Sequence, residues 1–237
     1  MIEKIQLPNI LFLDIETVPC EEHYQQLDDD WKLLWEQKTQ YQRRDEYTPE
    51  DFYDRAGIWA EFGKIVCISA GYFTLKGDIR HFRVTSFFGN EVQLLKDFNN
   101  LLNNHFNQAQ HVLCGHNAKE FDIPFLARRM IINGIQIPSK LNLFGKKPWE
   151  IPHLDTLELW KFGDYKHFTS LKLLTKVLGI PSPKGDIDGS QVGHVYYVEK
   201  DIDRIVTYCE KDVIAVAQVF LKLRREELLV DDEIIHV

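Results

Sequence analysis

In residues 9–16 an apolar run, Ile10-Leu11-Phe12-Leu13, leads into Asp14-Ile15-Glu16. Its length and composition are those of a buried β-strand. Residues two apart in a strand point to the same face, so both carboxylates project together from the end of an apolar sheet. Two adjacent anions there are unfavourable unless a cation joins them. Their oxygens suit a hard divalent ion, Mg²⁺ or Mn²⁺. Asp-x-Glu by itself is a common triplet. A second copy, Asp231 and Glu233, lies in a C-terminal tail to which no role is assigned.

The pattern around this strand defines the fold class. Residues 64–72 are β-branched and apolar, residues 78–88 alternate, and Gly77-Asp78 between them signals a hairpin. Residues 90–106 carry a helical stripe of Val92, Leu94, Leu95, Phe98, Leu101 and Leu102, with Asn90 as cap. A short strand follows at 111–115, then a helix at 123–133 stopping before Gly134. Residues 134–153 and 182–193 read as loops. Residues 154–160 and 170–178 read as helices, and 201–227 as the longest helix. Residues 20–62 differ, being polar, aromatic and acidic. Trp31, Leu34 and Trp35 have helical spacing, and Thr48-Pro49-Glu50-Asp51 has the form of a helix start. At this length the segment is a helical insertion within one domain spanning 1–237. A three-strand meander followed by helix, strand and helix predicts an α/β fold, a mixed β-sheet with helices on both faces.

The net charge of −8 weighs against a nucleic-acid partner, because phosphate binding is mostly cationic. The charge is uneven, however. Residues 1–62 hold 6 Lys/Arg against 15 Asp/Glu, whereas residues 123–185 hold 10 against 4. This basic quarter keeps a nucleic-acid partner open. No apolar stretch approaches the roughly 18 residues of a membrane span, and the N-terminus lacks a signal-peptide pattern. A soluble, cytoplasmic protein with no membrane partner is expected. Cys20, Cys67, Cys114 and Cys209 have no Cys-x-x-Cys spacing and read as buried reduced thiols.

Two later acids stand out. Asp122 follows the strand ending in Gly115-His116-Asn117 and opens a helix. It has the position of a helix cap, and also that of a ligand-binding residue at the C-terminal edge of an open α/β sheet. On the last helix, Tyr208 and Asp212 share a face bordering the apolar stripe of Ile205, Cys209, Val213, Val216, Phe220 and Leu223. A charge beside a buried stripe needs a partner or a metal. Tyr-x-x-x-Asp recurs elsewhere in the chain, but only this copy lies on a strongly amphipathic helix.

Taken in order, Asp14-Ile15-Glu16, the Asn117 to Asp122 element and Tyr208-x-x-x-Asp212 resemble the three motifs of the DEDD 3′–5′ exonuclease superfamily, tyrosine subclass. The sister subclass has His five residues before the last Asp, where this chain has Thr207. Leu13-Asp14-Ile15-Glu16-Thr17-Val18-Pro19, Lys64-Ile65-Val66-Cys67-Ile68, His153-Leu154-Asp155-Thr156 and Ile187-Asp188-Gly189-Ser190 are similar to stand-alone PolB-like exonucleases, akin to proofreading domains of family B DNA polymerases. These landmarks run from about residue 10 to 223, and residues 20–62 have no counterpart among them.

The resemblance implies a ribonuclease H-like fold. It implies two divalent cations, Mg²⁺ or Mn²⁺, on Asp14, Glu16, Asp122 and Asp212, and two-metal phosphodiester hydrolysis. Tyr208 would orient the attacking water as a neutral phenol. The products would be nucleoside 5′-monophosphates from the 3′ end of a single strand, DNA with RNA also admissible. Further candidates are the Ile15 and Thr17 backbone at the terminal nucleotide and Asn117 at a phosphate or sugar. Phe121 is a stacking ring or core residue, and Lys184 a phosphate contact or solvated surface charge. Asp155 is a helix cap, or supports the site from behind. Trp31, Trp35, Tyr41, Tyr47 and Trp59 either stack bases or pack the insertion. A non-catalytic nucleic-acid- or protein-binding module, or a phosphoesterase acting on small nucleotides, would share these residues. A polymerase or repair partner in trans stays open.

Overall fold

Strand β1 (Ile10–Pro19) is apolar on both faces, and a strand of that kind lies inside a sheet. Leu11, Leu13 and Ile15 pack into one layer, Ile10 and Phe12 into the other. The computed structural model describes every residue except 1, 45, 78, 165, 167 and 182–185. After β1 come α1 (Asp29–Arg43), β2 (Gly63–Lys76), β3 (Ile79–Phe88), α2 (Glu91–His105), β4 (Val112–Gly115) and α3 (Asp122–Ile132). Then follow β5 (Leu154–Asp155), α4 (Thr156–Lys161), α5 (Leu171–Val177), α6 (Val192–His194), α7 (Ile202–Leu223) and β6 (Ile234–His236). The six strands form one sheet in the order β5-β4-β1-β2-β3-β6. β1 to β3 are the antiparallel meander, while β4, β5 and β6 join in parallel. The expected mixed sheet with helices on both faces is present.

Helices α2 and α3 cover the Leu11, Leu13 and Ile15 layer. Helix α7 covers the other through Val213, Val216, Ala217, Phe220 and Leu221. There the Phe12 ring meets Phe73, Phe82 and Phe220 edge-on at 5.8, 5.8 and 5.7 Å, a geometry aromatic rings prefer. Gly71 permits this approach: a Cβ on it would lie 2.3 Å from the Phe82 ring and 2.9 Å from Val213.

Several expectations change. The acids are not at the end of β1, because pairing with β2 continues to Pro19 opposite Gly63. Residues 154–160 are not one helix. Leu154 and Asp155 pair with Cys114 and Gly115 as an edge strand, and α4 starts only at Thr156. Thr48 and Asp51 exchange capping hydrogen bonds of 2.7 and 3.1 Å, but a turn and the 3₁₀ segment Tyr53–Ile58 follow instead of an α-helix. The last helix ends at Leu223, and Arg225 beyond it has a left-handed φ of 60°. Residues 192–199, expected to be loop in part, form α6 and a π-turn. The tail is not free. It forms β6 beside β3, and Glu233 accepts from Arg80 Nε and Nη2 at 2.9 and 3.0 Å.

The 20–62 segment is a long excursion between adjacent antiparallel strands, its ends joined by Cys20 N–H donating to Phe62 O at 2.7 Å. Trp35 is fully buried in it with Phe52, Tyr53, Ala56 and Phe62, and its Nε1 donates to Pro49 O at 2.7 Å. Trp35 and the half-buried Trp59 are therefore committed to packing, while Tyr41 is exposed. Cys67, Cys114 and Cys209 are buried free thiols and Cys20 is half-buried. No helix among the described residues is long and apolar enough to cross a membrane.

The four-ring cluster under α7 yields a stability test. Phe220→Ala should lower the unfolding free energy by about 3–5 kcal/mol in urea denaturation. A change below about 1 kcal/mol would show that these rings do not hold α7 to the sheet.

Candidate active site

The site forms where β1 loses a neighbour. β4 pairs only with Ile10, Leu11 and Phe12. Beyond that point the backbone of β1 is open on this side, and Ile15 N–H donates to Asp122 Oδ1 at 3.1 Å. Asp122 is thus not the cap of α3. It is that helix's first residue, with Phe121 in the cap position, and its carboxylate is spent on β1. A register shift between Glu16 and Thr17 marks a bulge in β1, a feature common beside functional sites.

Asp14 and Glu16 share the face of β1 that α7 covers. Cys209 Sγ of α7 lies 3.4 Å from Asp14 Oδ2 and 3.5 Å from Asp14 O. Donor atoms of Asp14, Glu16 and Cys209 all fall within 4.8 Å of one another. On the same helix Tyr208 stands close enough to Asp212 for each to shift the other's titration. Asp122 of α3 and Asp212 of α7 lie near enough for their charges to act on Asp14 and Glu16, but among the described residues only Asp14, Glu16 and Cys209 bring donor atoms within 4.8 Å of one another.

Burial dominates the electrostatics. It raises Asp14 well above the usual carboxylate range, and the charges of Glu16, Asp122 and Asp212 add to it. Glu16 is raised in the same way, by burial and then by Asp212. Burial lifts Asp122 to about 7, against two backbone N–H groups that favour its anion. Asp212 rises to about 6 by burial, opposed by Tyr208. Tyr208 is pushed far above the ordinary phenol range by burial and by Asp212, Glu16 and Asp14, so it keeps its proton. Among the described residues no lysine, arginine or histidine is ion-paired with any of the four acids. Buried and half-buried oxygen donors with no cation of the protein's own fit a hard divalent metal.

A second tier holds this arrangement. Gly115 at the end of β4 lets the chain turn sharply, since a Cβ there would lie 2.4 Å from that of Ala118. Asn117 then adopts φ 65°. Asp155 accepts from Asn117 N and Lys119 N at 2.9 and 3.0 Å, and from Leu157 N at 2.9 Å. It is both the expected cap of α4 and a strap on the loop that delivers Asp122. His116 bonds Thr156 Oγ1 and Thr169 O at 2.9 and 2.8 Å. His153 takes Leu113 N–H on Nδ1 and donates from Nε2 to Lys140 O. Burial lowers its pKa to about 4, so it is neutral. The support given by His116 and the contact of Cys209 with Asp14 have no pattern in the sequence that announces them. The nearest signal for Cys209 is its place beside Tyr208, one turn from Asp212.

The candidates for substrate contact are more scattered. The Ile15 side chain is in the core and its N–H is engaged by Asp122. Thr17 is half-buried just past the bulge, and Asn117 half-buried at the sheet edge. Phe121 packs against the α2/α3 layer, 5.4 Å from the Phe125 ring. Lys184 lies outside the described residues.

Residues 58–234 match a family model described as a predicted 3′–5′ exonuclease related to the exonuclease domain of PolB. The match contains Asp122, Tyr208 and Asp212. Asp14 and Glu16 precede it, and the register of β1 against β2 and β4 brings them to the same place. No curated protein matches the chain. The six-stranded mixed sheet and its helices are consistent with a ribonuclease H-like exonuclease fold.

The raised carboxylates give a signed stability test. Their protonated forms are favoured in the folded state, so the stability they contribute is complete below about pH 4. It is lost as pH rises through about 6 and 7, the folded values of Asp212 and Asp122. In EDTA at pH 8, Asp212→Asn should therefore be more stable than the parent, by on the order of 1–3 kcal/mol, and the difference should vanish near pH 4. Equal stability at both pH values, in thermal or urea melts, would contradict this.

Proposed function

The chain belongs to this family of predicted 3′–5′ exonucleases related to the PolB exonuclease domain, and on that premise we propose that it hydrolyses phosphodiesters from the 3′ end of single-stranded nucleic acid, DNA foremost, with divalent metals. The products are nucleoside 5′-monophosphates, and the unit is one domain over 1–237 with an insertion at 20–62. The observation that carries the proposal is the cluster of four acids, Glu16 and Asp122 buried and Asp14 and Asp212 half-buried, with no cation from the protein among the described residues.

Asp14, Glu16, Asp122 and Asp212 would hold two ions, Mg²⁺ or Mn²⁺. Such ions supply an activated water at neutral pH and support for the leaving 3′ oxygen. The chain's own residues do the positioning. Ile15 N–H aims Asp122 at the cluster. Asp155 fixes the loop before it. Tyr208 keeps its proton and presents a hydroxyl beside Asp212, which suits it to orient a water rather than to deprotonate one. The Thr17 backbone would meet the terminal nucleotide, and Asn117 a phosphate or sugar.

The choice of a polymer substrate is supported by the surface of the basic quarter. Phe162, Trp149 and Phe168 are 85%, 77% and 65% exposed there, interleaved with Lys146, Lys147, Lys161 and Lys166. Exposed rings with neighbouring lysines are how single strands are bound without sequence preference. Phe168 lies against His116, its ring 6.4 Å away, next to the end of β4.

Digestion of a 5′-labelled oligonucleotide tests the reading. A ladder of shortened products should form with Mg²⁺ or Mn²⁺ and vanish with EDTA or Asp14→Ala. No metal-dependent shortening of either DNA or RNA would refute the proposal. Tyr208→Phe should lower kcat on the order of 10²-fold, as expected when a reacting group is misplaced, with Mn²⁺ affinity unchanged. Undiminished kcat would remove Tyr208 from the reaction. Phe162→Ala with Trp149→Ala should raise KM for a long single strand while leaving that for a dinucleotide unaltered.

A further inference from the structure

One member of the cluster is not explained by hard-ion chemistry. Cys209 is fully buried, and its sulfur lies 3.4 Å from Asp14 Oδ2. Glu16 is only 8% exposed, and it has no hydrogen bond or ion pair among the described residues. Its carboxylate is nevertheless aimed at the sulfur, since Asp14, Glu16 and Cys209 donor atoms lie within 4.8 Å of one another. Behind Cys209 stands a second thiol. Cys67 is directly opposite Glu16 in the β1–β2 register and packs with Cys209 in one buried cluster. Mg²⁺ takes oxygen ligands and has no use for a thiolate. Zn²⁺ and Co²⁺ accept sulfur, nitrogen and carboxylate oxygen together, and hold four or fewer protein ligands in a tight tetrahedron.

We propose that Asp14, Glu16 and Cys209 form a binding site for a thiophilic divalent ion, Zn²⁺ above all, and that Zn²⁺ held there inhibits the enzyme. Loading converts the Cys209 thiol to a thiolate, and its proton leaves to solvent. The sulfur draws the ion toward α7, and the ion takes up two of the four acids needed for Mg²⁺ or Mn²⁺. Binding therefore excludes the productive metals rather than replacing them. The site itself stands on the three side chains; only the inhibition rests on the exonuclease reading.

The test is spectroscopic. Metal-free full-length chain is titrated with Co²⁺, and the near-ultraviolet and visible spectrum is followed. A sulfur-to-cobalt charge-transfer band should appear and be bleached by an equivalent of Zn²⁺. Cys209→Ser should lack the band and bind Zn²⁺ on the order of 10–100-fold more weakly, a loss typical of altered metal-site contacts. Its Mn²⁺ affinity should fall far less, and Cys67→Ser should keep the band. No band in the wild-type chain overturns the proposal without any variant, so a variant that fails to fold does not shield it. A band surviving in Cys209→Ser, or equal losses of Zn²⁺ and Mn²⁺ affinity, also overturns it. Band formation in a chain that digests no nucleic acid would refute the exonuclease reading and leave the zinc site standing. Mg²⁺-dependent digestion without a band would do the reverse.

Discussion

Four carboxylates come near one another where β1, α3 and α7 converge, two of them buried and two half-buried, which strips away much of the water that would solvate their charge. In such surroundings each ionised acid raises the energy of the others. The fold supplies no lysine, arginine or histidine ion pair to relieve them among the described residues. Buried anions are tolerated when they are paired or ligate a metal. Everything around the cluster serves to keep them together despite repulsion: the phenylalanine stack that seats α7, the Ile15 bond to Asp122, and the Asp155 strap.

The sheet topology explains how acids far apart in sequence arrive at one point. β1 is central, with β4 on one side and β2 on the other. Because β4 stops opposite Phe12, the next stretch of β1 has open backbone, and the start of α3 closes over it. The same parity that sends Ile10 and Phe12 into the α7 layer sends Asp14 and Glu16 there. An apolar strand thus changes into an acid-bearing strand with no change in register until the bulge after Glu16.

Much of this was legible in the residues. The two-residue period placed Asp14 with Glu16, and the helical stripe placed Tyr208 with Asp212. The meander and the parallel strand after it followed from pattern alone. What escaped depends on long-range partners. Leu154 and Asp155 are a strand only because β4 lies beside them, and two residues carry no period. The tail becomes β6 because Arg80, 153 residues away, holds Glu233. Asp122 looked like a cap because helix starts favour Asp, yet an open strand N–H had the prior claim on its carboxylate. Asp155 caps α4 as its place before the helix predicts, but its grip on Asn117 and Lys119 depends on the edge pairing of β5 with β4. The distinction between Cys209 as core filler and as neighbour of Asp14 likewise rests on how α7 crosses β1.

The central claim is that the acid cluster is a protein-built vacancy in charge, which divalent ions neutralise. Calorimetric titration of Mn²⁺ into the metal-free chain, repeated in buffers of different ionisation enthalpy, measures this directly. With acids titrating at about 6 and 7, two Mn²⁺ should bind per chain with release of protons at pH 6.5. Asp14→Asn should lose at least one of the two ions. Absence of Mn²⁺ binding, or binding that moves no protons at pH 6.5, would contradict the account.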